Sequence, residues 1–155
     1  SGSTPSGSTG PNGGVVDTTM ATSGTANSSS SYRYLYCETS SPNTTSTTFG
    51  YLLKTNNVPA SKTVKVEFWY HMYGSNMGTM VIGFGEKTGT TSYSQKGSVT
   101  LSGQQQASQG AAWLKSSNTY SHGGTTRQNY VSLYYISGGG FRGDACFDSV
   151  EVSYT

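Results

Sequence analysis

The eleven residues TVKVEFWYHMY at positions 63–73 constrain the fold most, because an apolar or aromatic side chain recurs at every second position. Successive side chains of an extended chain point to opposite faces, so Val64, Val66, Phe68, Tyr70 and Met72 share one side. Lys65, Glu67, Trp69, His71 and Tyr73 share the other. The first set is expected to face the core. The same period groups Met80, Ile82 and Phe84, then Val131, Leu133 and Tyr135, and sets Tyr32, Tyr34 and Tyr36 against Leu35 and Cys37. No segment carries a 3.6-residue period, so helix beyond a turn or two is not expected.

Further β-type runs, separated by Gly, Asn, Ser and Pro clusters, recur at the short spacing of sandwiches and barrels. Strands are expected near 15–20, 32–38, 48–54, 63–73, 79–84, 93–101, 112–114, 129–136 and 145–154. Charged residues make up 10% of the chain, against about a quarter in an average domain, and small polar residues and Tyr replace them. An all-β protein with an uncharged polar surface is the reading. Residues 1–14, SGSTPSGSTGPNGG, offer no apolar side chain to offset the entropy of ordering. They read as a flexible linker to something upstream, and residues 15–155 as one domain.

The net charge of +2 comes from Lys and Arg residues scattered singly between Arg33 and Arg142. No run follows a phosphate backbone, so nucleic acid is not an expected partner. No stretch approaches the roughly 20 apolar residues of a helical membrane span, so membrane insertion is not expected either. Cys37 and Cys146 belong to no CxxC or His-rich cluster of the zinc type, which leaves a disulfide or two buried thiols.

Four stretches in order resemble the MAM domain family: YRYLYCETSS at 32–41, VEFWYHMYGSNMGTMVI at 66–82, AAW at 111–113 and GGGFRGDACFDSVEV at 138–152. The FWYHMYG block followed by MGT is the most specific of them. The resemblance implies a jelly-roll β-sandwich of two antiparallel sheets. It also implies an extracellular module of adhesion, oligomerisation or ligand binding. Where the family carries a cysteine before this block the chain has Lys65, and the family's cysteine after the last strand is missing. The usual disulfides are therefore absent, and the resemblance, which brings first and last strands together, implies a Cys37–Cys146 bond instead. Of the family's double Asp, Asp148 is kept and Ser149 takes the second place.

His71 and His122 are the only histidines, and no motif joins either to a nucleophile and an acid. The acids Asp17, Glu38, Glu67, Glu86, Asp144, Asp148 and Glu151 show no recognisable catalytic spacing. The chain is read as no enzyme and as needing no cofactor. Asp144 and Asp148, joined by Asp17 if first and last strands pair, form the candidate set for a structural calcium ion, which takes six to eight oxygen ligands. Trp69, His71 and Tyr73, with Trp113 and Tyr134, form a candidate aromatic platform for a sugar ring. The competing reading, preferred on sequence, is that these rings pack inside the sandwich or under a loop. The glycines at 138–140 lack the strand-to-helix context of a phosphate loop. Asn27 and Asn43 head glycosylation sequons, matches expected by chance in so Ser/Thr-rich a chain.

The expectation is a non-catalytic interaction module of a larger cell-surface, fibre or virion protein, acting through a protein partner or self-association. The alternative is a carbohydrate-binding module of a secreted enzyme or a phage receptor-binding protein, with polysaccharide as ligand.

Overall fold

A computed structural model of the chain describes residues 9–11, 34–55, 61–88, 92–123 and 128–155. Among these, eight strands follow one another without a helix: β1 (Leu35–Cys37), β2 (Thr48–Thr55), β3 (Thr63–Met72), β4 (Thr79–Thr88), β5 (Ser92–Ser102), β6 (Leu114–Ser121), β7 (Gln128–Ile136) and β8 (Ala145–Tyr154). One sheet has the order β1-β8-β3-β6 and the other β2-β7-β4-β5. Every pairing is antiparallel. Eight strands interleaved in this order between two facing sheets form a jelly roll.

The alternation in β3 sets the core. Val64, Val66, Phe68 and Met72 are fully buried and meet Met80, Ile82 and Phe84 of β4 and Val131, Leu133 and Tyr135 of β7 across the sandwich. Each such side chain contributes about 1.5–3 kcal/mol when taken out of water. Tyr135 also ties the sandwich end together: its hydroxyl donates to the Gly143 carbonyl at 2.5 Å and accepts the Gly78 N–H at 2.7 Å.

Phe147 and Ala145 point into the core from the first half of β8, while Val150 and Val152 do so from its second half. A strict two-residue period cannot place odd and even residues on one face. The phase changes at a bulge, where the pairing with β3 slips between Glu67 and Trp69 and Ser149 adopts a φ of 52°.

Two sequence expectations need correction. The strand expected at 112–114 is loop up to Trp113, and the chain pairs with β3 only from Leu114 onwards. β6 is an edge strand whose core-facing positions include Ser116 and Asn118, so it shows no apolar alternation to read. The Cys37–Cys146 bond is absent, and both thiols are free and buried. Cys37 pairs with Ala145, so Cys146 is one residue further along β8 and projects from the opposite face. Cys37 packs in the sandwich core, and Cys146 packs on the sheet's outer side with Tyr34 and Trp113. Within the expected linker, residues 9–11 are buried against the sandwich. The strand expected at 15–20 lies outside the described residues.

Candidate functional site

The outer face of the first sheet is the one place where several aromatic, titratable and thiol side chains converge outside the core among the described residues. Trp69 and His71 project there because Phe68, Tyr70 and Met72 point inward. His71 pairs in register with Cys146, and Trp69 with Asp148. Residues 103–113 fold over them and are stitched to the strand beneath. Gln106 accepts the Met72 N–H at 2.7 Å through Oε1 and donates to the Tyr70 carbonyl at 2.9 Å through Nε2. The Gln105 N–H donates to the Met72 carbonyl at 2.8 Å. Immediately before the start of β6, this loop supplies the edge partners that β3 would otherwise lack.

The loop delivers Trp113, which is 3% exposed, onto Tyr34 at 5.4 Å and onto His71 at 5.8 Å between ring centroids. Both contacts are tilted, the favourable arrangement for aromatic quadrupoles. His71 is fully buried, and neither ring nitrogen makes a hydrogen bond of good geometry. Burial lowers its pKa to about 4, with the nearby backbone of Ala111 and Gln109 weakly opposing. His71 is therefore a neutral packing ring at neutral pH. Burial also raises the Tyr34 hydroxyl, with Cys146 and Asp144 adding to it, and pushes the Cys146 thiol well up.

Of the five rings proposed as a platform, Trp69, His71 and Trp113 do come together, but as a packed cluster beneath a loop. Trp69 keeps a partly exposed edge, with the Lys115 Nζ 5.9 Å from its ring centroid. Tyr73 lies at the cluster's margin, where its backbone carbonyl accepts the Gly10 N–H at 2.8 Å. Tyr134 lies on the outer side of the other sheet, since Leu133 and Tyr135 beside it fill the core. Tyr34 and Cys146 belong to the cluster and went unrecognised in the sequence. The outward alternation of Tyr34 against Cys37 was the available signal.

Asp144 and Asp148 do not converge. Four residues of extended chain separate their Cα atoms by about 13 Å. Asp144 Oδ1 is taken up by the Thr39 N–H and the Thr39 hydroxyl, each at 2.9 Å. Asp17 lies outside the described residues, and among the described ones no three His, Cys, Asp or Glu side chains group to hold a metal ion.

Two acid arrangements bear on catalysis. Glu67 and Glu151 face each other across β3 and β8. Lys65 foremost, opposed next by burial and aided by Lys115 and Ser117, holds Glu67 below the usual carboxylate range, the wrong direction for a general acid. Glu86 and His122 meet 3.5 Å apart between the sheets, where Tyr120 sets its ring edge-on to His122 at 4.8 Å and stacks on Phe84 at 5.6 Å. Gly97 leaves room for that Tyr120 ring, which an added Cβ would meet at 2.8 Å. No ring nitrogen of either histidine is hydrogen-bonded to a hydroxyl or thiol.

The family model described as MAM domain, meprin/A5/mu matches residues 11–155. Among solved structures, one entitled "CBM4 structure and function" is similar with a TM-score of 0.49 and 18% identity, covering 79% of this chain and 71% of that chain.

Proposed function

The chain belongs to the MAM domain family, and on that premise we propose that it is a non-catalytic, extracellular interaction module that holds surfaces together through protein–protein contact. It serves as part of a larger cell-surface, fibre or virion protein. The observation that carries this reading is the closed outer face of the first sheet. Where a hydrolase of this shape needs an open cleft with converging acids, residues 103–113 seal Trp113 and His71 into a packed cluster. What remains at the surface is a mixed polar field of Lys65, Glu67, Lys115 and the edge of Trp69. The exposed edge of a rigid Trp is the kind of aromatic contact that protein interfaces favour.

Polysaccharide binding ranks second, because the rings that would stack on sugars are divided between the cluster and the far sheet. The deciding experiment measures sedimentation over a wide concentration range and capture of extracellular proteins by the immobilised chain. In parallel, polysaccharides are screened for binding and for released sugars. Protein association without sugar release is expected. Binding of a glycan with no protein partner at all favours the carbohydrate module instead, and sugar release abolished by changing one acid sinks the non-catalytic reading.

A further inference from the structure

Residues 9–11 sit in a seat built entirely by remote parts of the chain. Thr9 is fully buried; its hydroxyl accepts the Asp144 N–H at 2.9 Å and its carbonyl accepts Gln109 Nε2 at 2.9 Å. The Gly10 N–H donates to the Tyr73 carbonyl at 2.8 Å. The floor is Gly74, with a φ of 149°, where an added Cβ would strike the Arg142 carbonyl and lie 2.9 Å from the Thr9 hydroxyl. The seat thus combines the end of β3, the loop that carries Trp113 and the start of β8. It reads two backbone groups and one small hydroxyl of a Thr-Gly-Pro segment that bends at Gly10, whose φ is 64°.

We infer that this seat exchanges its occupant, taking the same segment from a second copy of the chain and so linking two copies reciprocally. The inference deepens the protein-contact reading above and rests on it, naming the surface and the partner. Residues 12–33 separate the segment from the first described residue of the domain body, Tyr34, and such a length reaches at most about 70–80 Å when extended. That exceeds the width of a small sandwich, so a neighbour's seat is within range. Every hydrogen bond made in one copy is remade in the other, so exchange loses only the advantage of tethering. A link of this length corresponds to an effective concentration on the order of 1 mM. Two copies therefore exchange segments when crowded to a similar density, as on a surface array, and reciprocal exchange closes as a symmetric dimer.

The test uses the full chain by sedimentation equilibrium up to about 1 mM, the effective concentration estimated above. A monomer–dimer equilibrium is expected. Thr9→Val, which removes the acceptor for the Asp144 N–H, and Gln109→Ala, which removes the donor to the Thr9 carbonyl, each weaken the closed monomer and the exchanged dimer by the same hydrogen bond per seat, so the dissociation constant is expected to stay within about threefold. An isotope-filtered NMR experiment on an equimolar mixture of differently labelled unmodified chains reads the contact without any substitution. Cross-peaks are expected between Gly10 of one copy and Tyr73 or Gln109 of the other. A dimer lacking those cross-peaks overturns the exchange while leaving protein contact standing through another face. A chain that stays monomeric up to the same limit overturns the exchange as well, and a protein partner found in the capture experiment still upholds the broader reading.

Discussion

Acidification from pH 7.5 to 4 should unload stability from this domain mainly through His71. In the folded chain the ring is fully buried beside Trp113, and burial holds its pKa at about 4 against an ordinary 6.5. The unfolded chain binds a proton below pH 6.5, whereas the folded chain resists one until about pH 4. Between those values the unfolded state carries more protons, so stability falls as the pH falls. The contribution is fully present above pH 6.5 and is lost by pH 4. A gap of this size corresponds to about 3 kcal/mol, a large share of the roughly 5–15 kcal/mol that holds a typical domain together. Glu67, whose pKa is lowered, also loses stability in acid, so a control is needed. His71→Phe keeps an aromatic ring of similar size against Trp113 and cannot titrate. Urea denaturation of both proteins at pH 7.5, 6.5, 5.5 and 4.5 should give a difference in unfolding free energy that shifts by about 2–3 kcal/mol in favour of the variant across the series. Parallel curves for the two proteins, with no change in their separation, would refute the account of His71 as a buried neutral ring.

Trp113→Ala should destabilise the fold by about 3–5 kcal/mol in the same assay at neutral pH, because its ring is the plug that the loop drives between Tyr34 and His71. Trp69→Ala should cost less, since one edge of that ring is already wet; an equal loss would mean that the two rings are not arranged as described. Alkylation of the unreduced, denatured chain followed by mass spectrometry should add two equivalents, one at each free thiol. The native chain should react far more slowly, as burial foremost and Asp144 second push the Cys37 thiol up to about 12. Ser149→Val should cost about 1–2 kcal/mol, as a β-branched residue resists the left-handed backbone of the bulge; an unchanged denaturation midpoint would show that the bulge can relax.

The strands were legible wherever both faces of a sheet imposed different demands. β3, β4 and β7 alternate because one side meets the opposite sheet, and their inward residues could be named from the sequence alone. β6 escaped notice because an edge strand with Ser116 and Asn118 turned inward makes no apolar pattern, and the eye is drawn instead to Trp113 in the loop before it. The break in β8 at Ser149 escaped for a related reason. A bulge is defined by what the partner strand does opposite it, and Glu67 and Trp69 lie eighty residues away in sequence.

The choice left open at the aromatic face and the error over the cysteine bond share one physical origin, which is that alternation assigns a side chain to a face without saying what covers that face. Trp69 and His71 were correctly placed opposite the core, yet whether they form an open platform or a packed cluster depends on residues 103–113, whose grip on β3 runs through Gln106 and carries no hydrophobic signature. The cysteines fail in the same way. Family resemblance brings β1 beside β8, and the register then decides everything: a pairing of Cys37 with Cys146 would have put both thiols on one face, but Cys37 faces Ala145 and the thiols diverge. A slip of one residue in pairing reverses every side chain, so no count of cysteines could settle the matter. The segment at residues 9–11 carries the point further. Its Thr-Gly-Pro sequence offers no large apolar side chain to bury, and it is held instead by three hydrogen bonds whose partners, Tyr73, Gln109 and Asp144, belong to three separate parts of the chain. Such a contact is specified by the seat rather than by the segment, and for the same reason a second copy can supply the segment equally well.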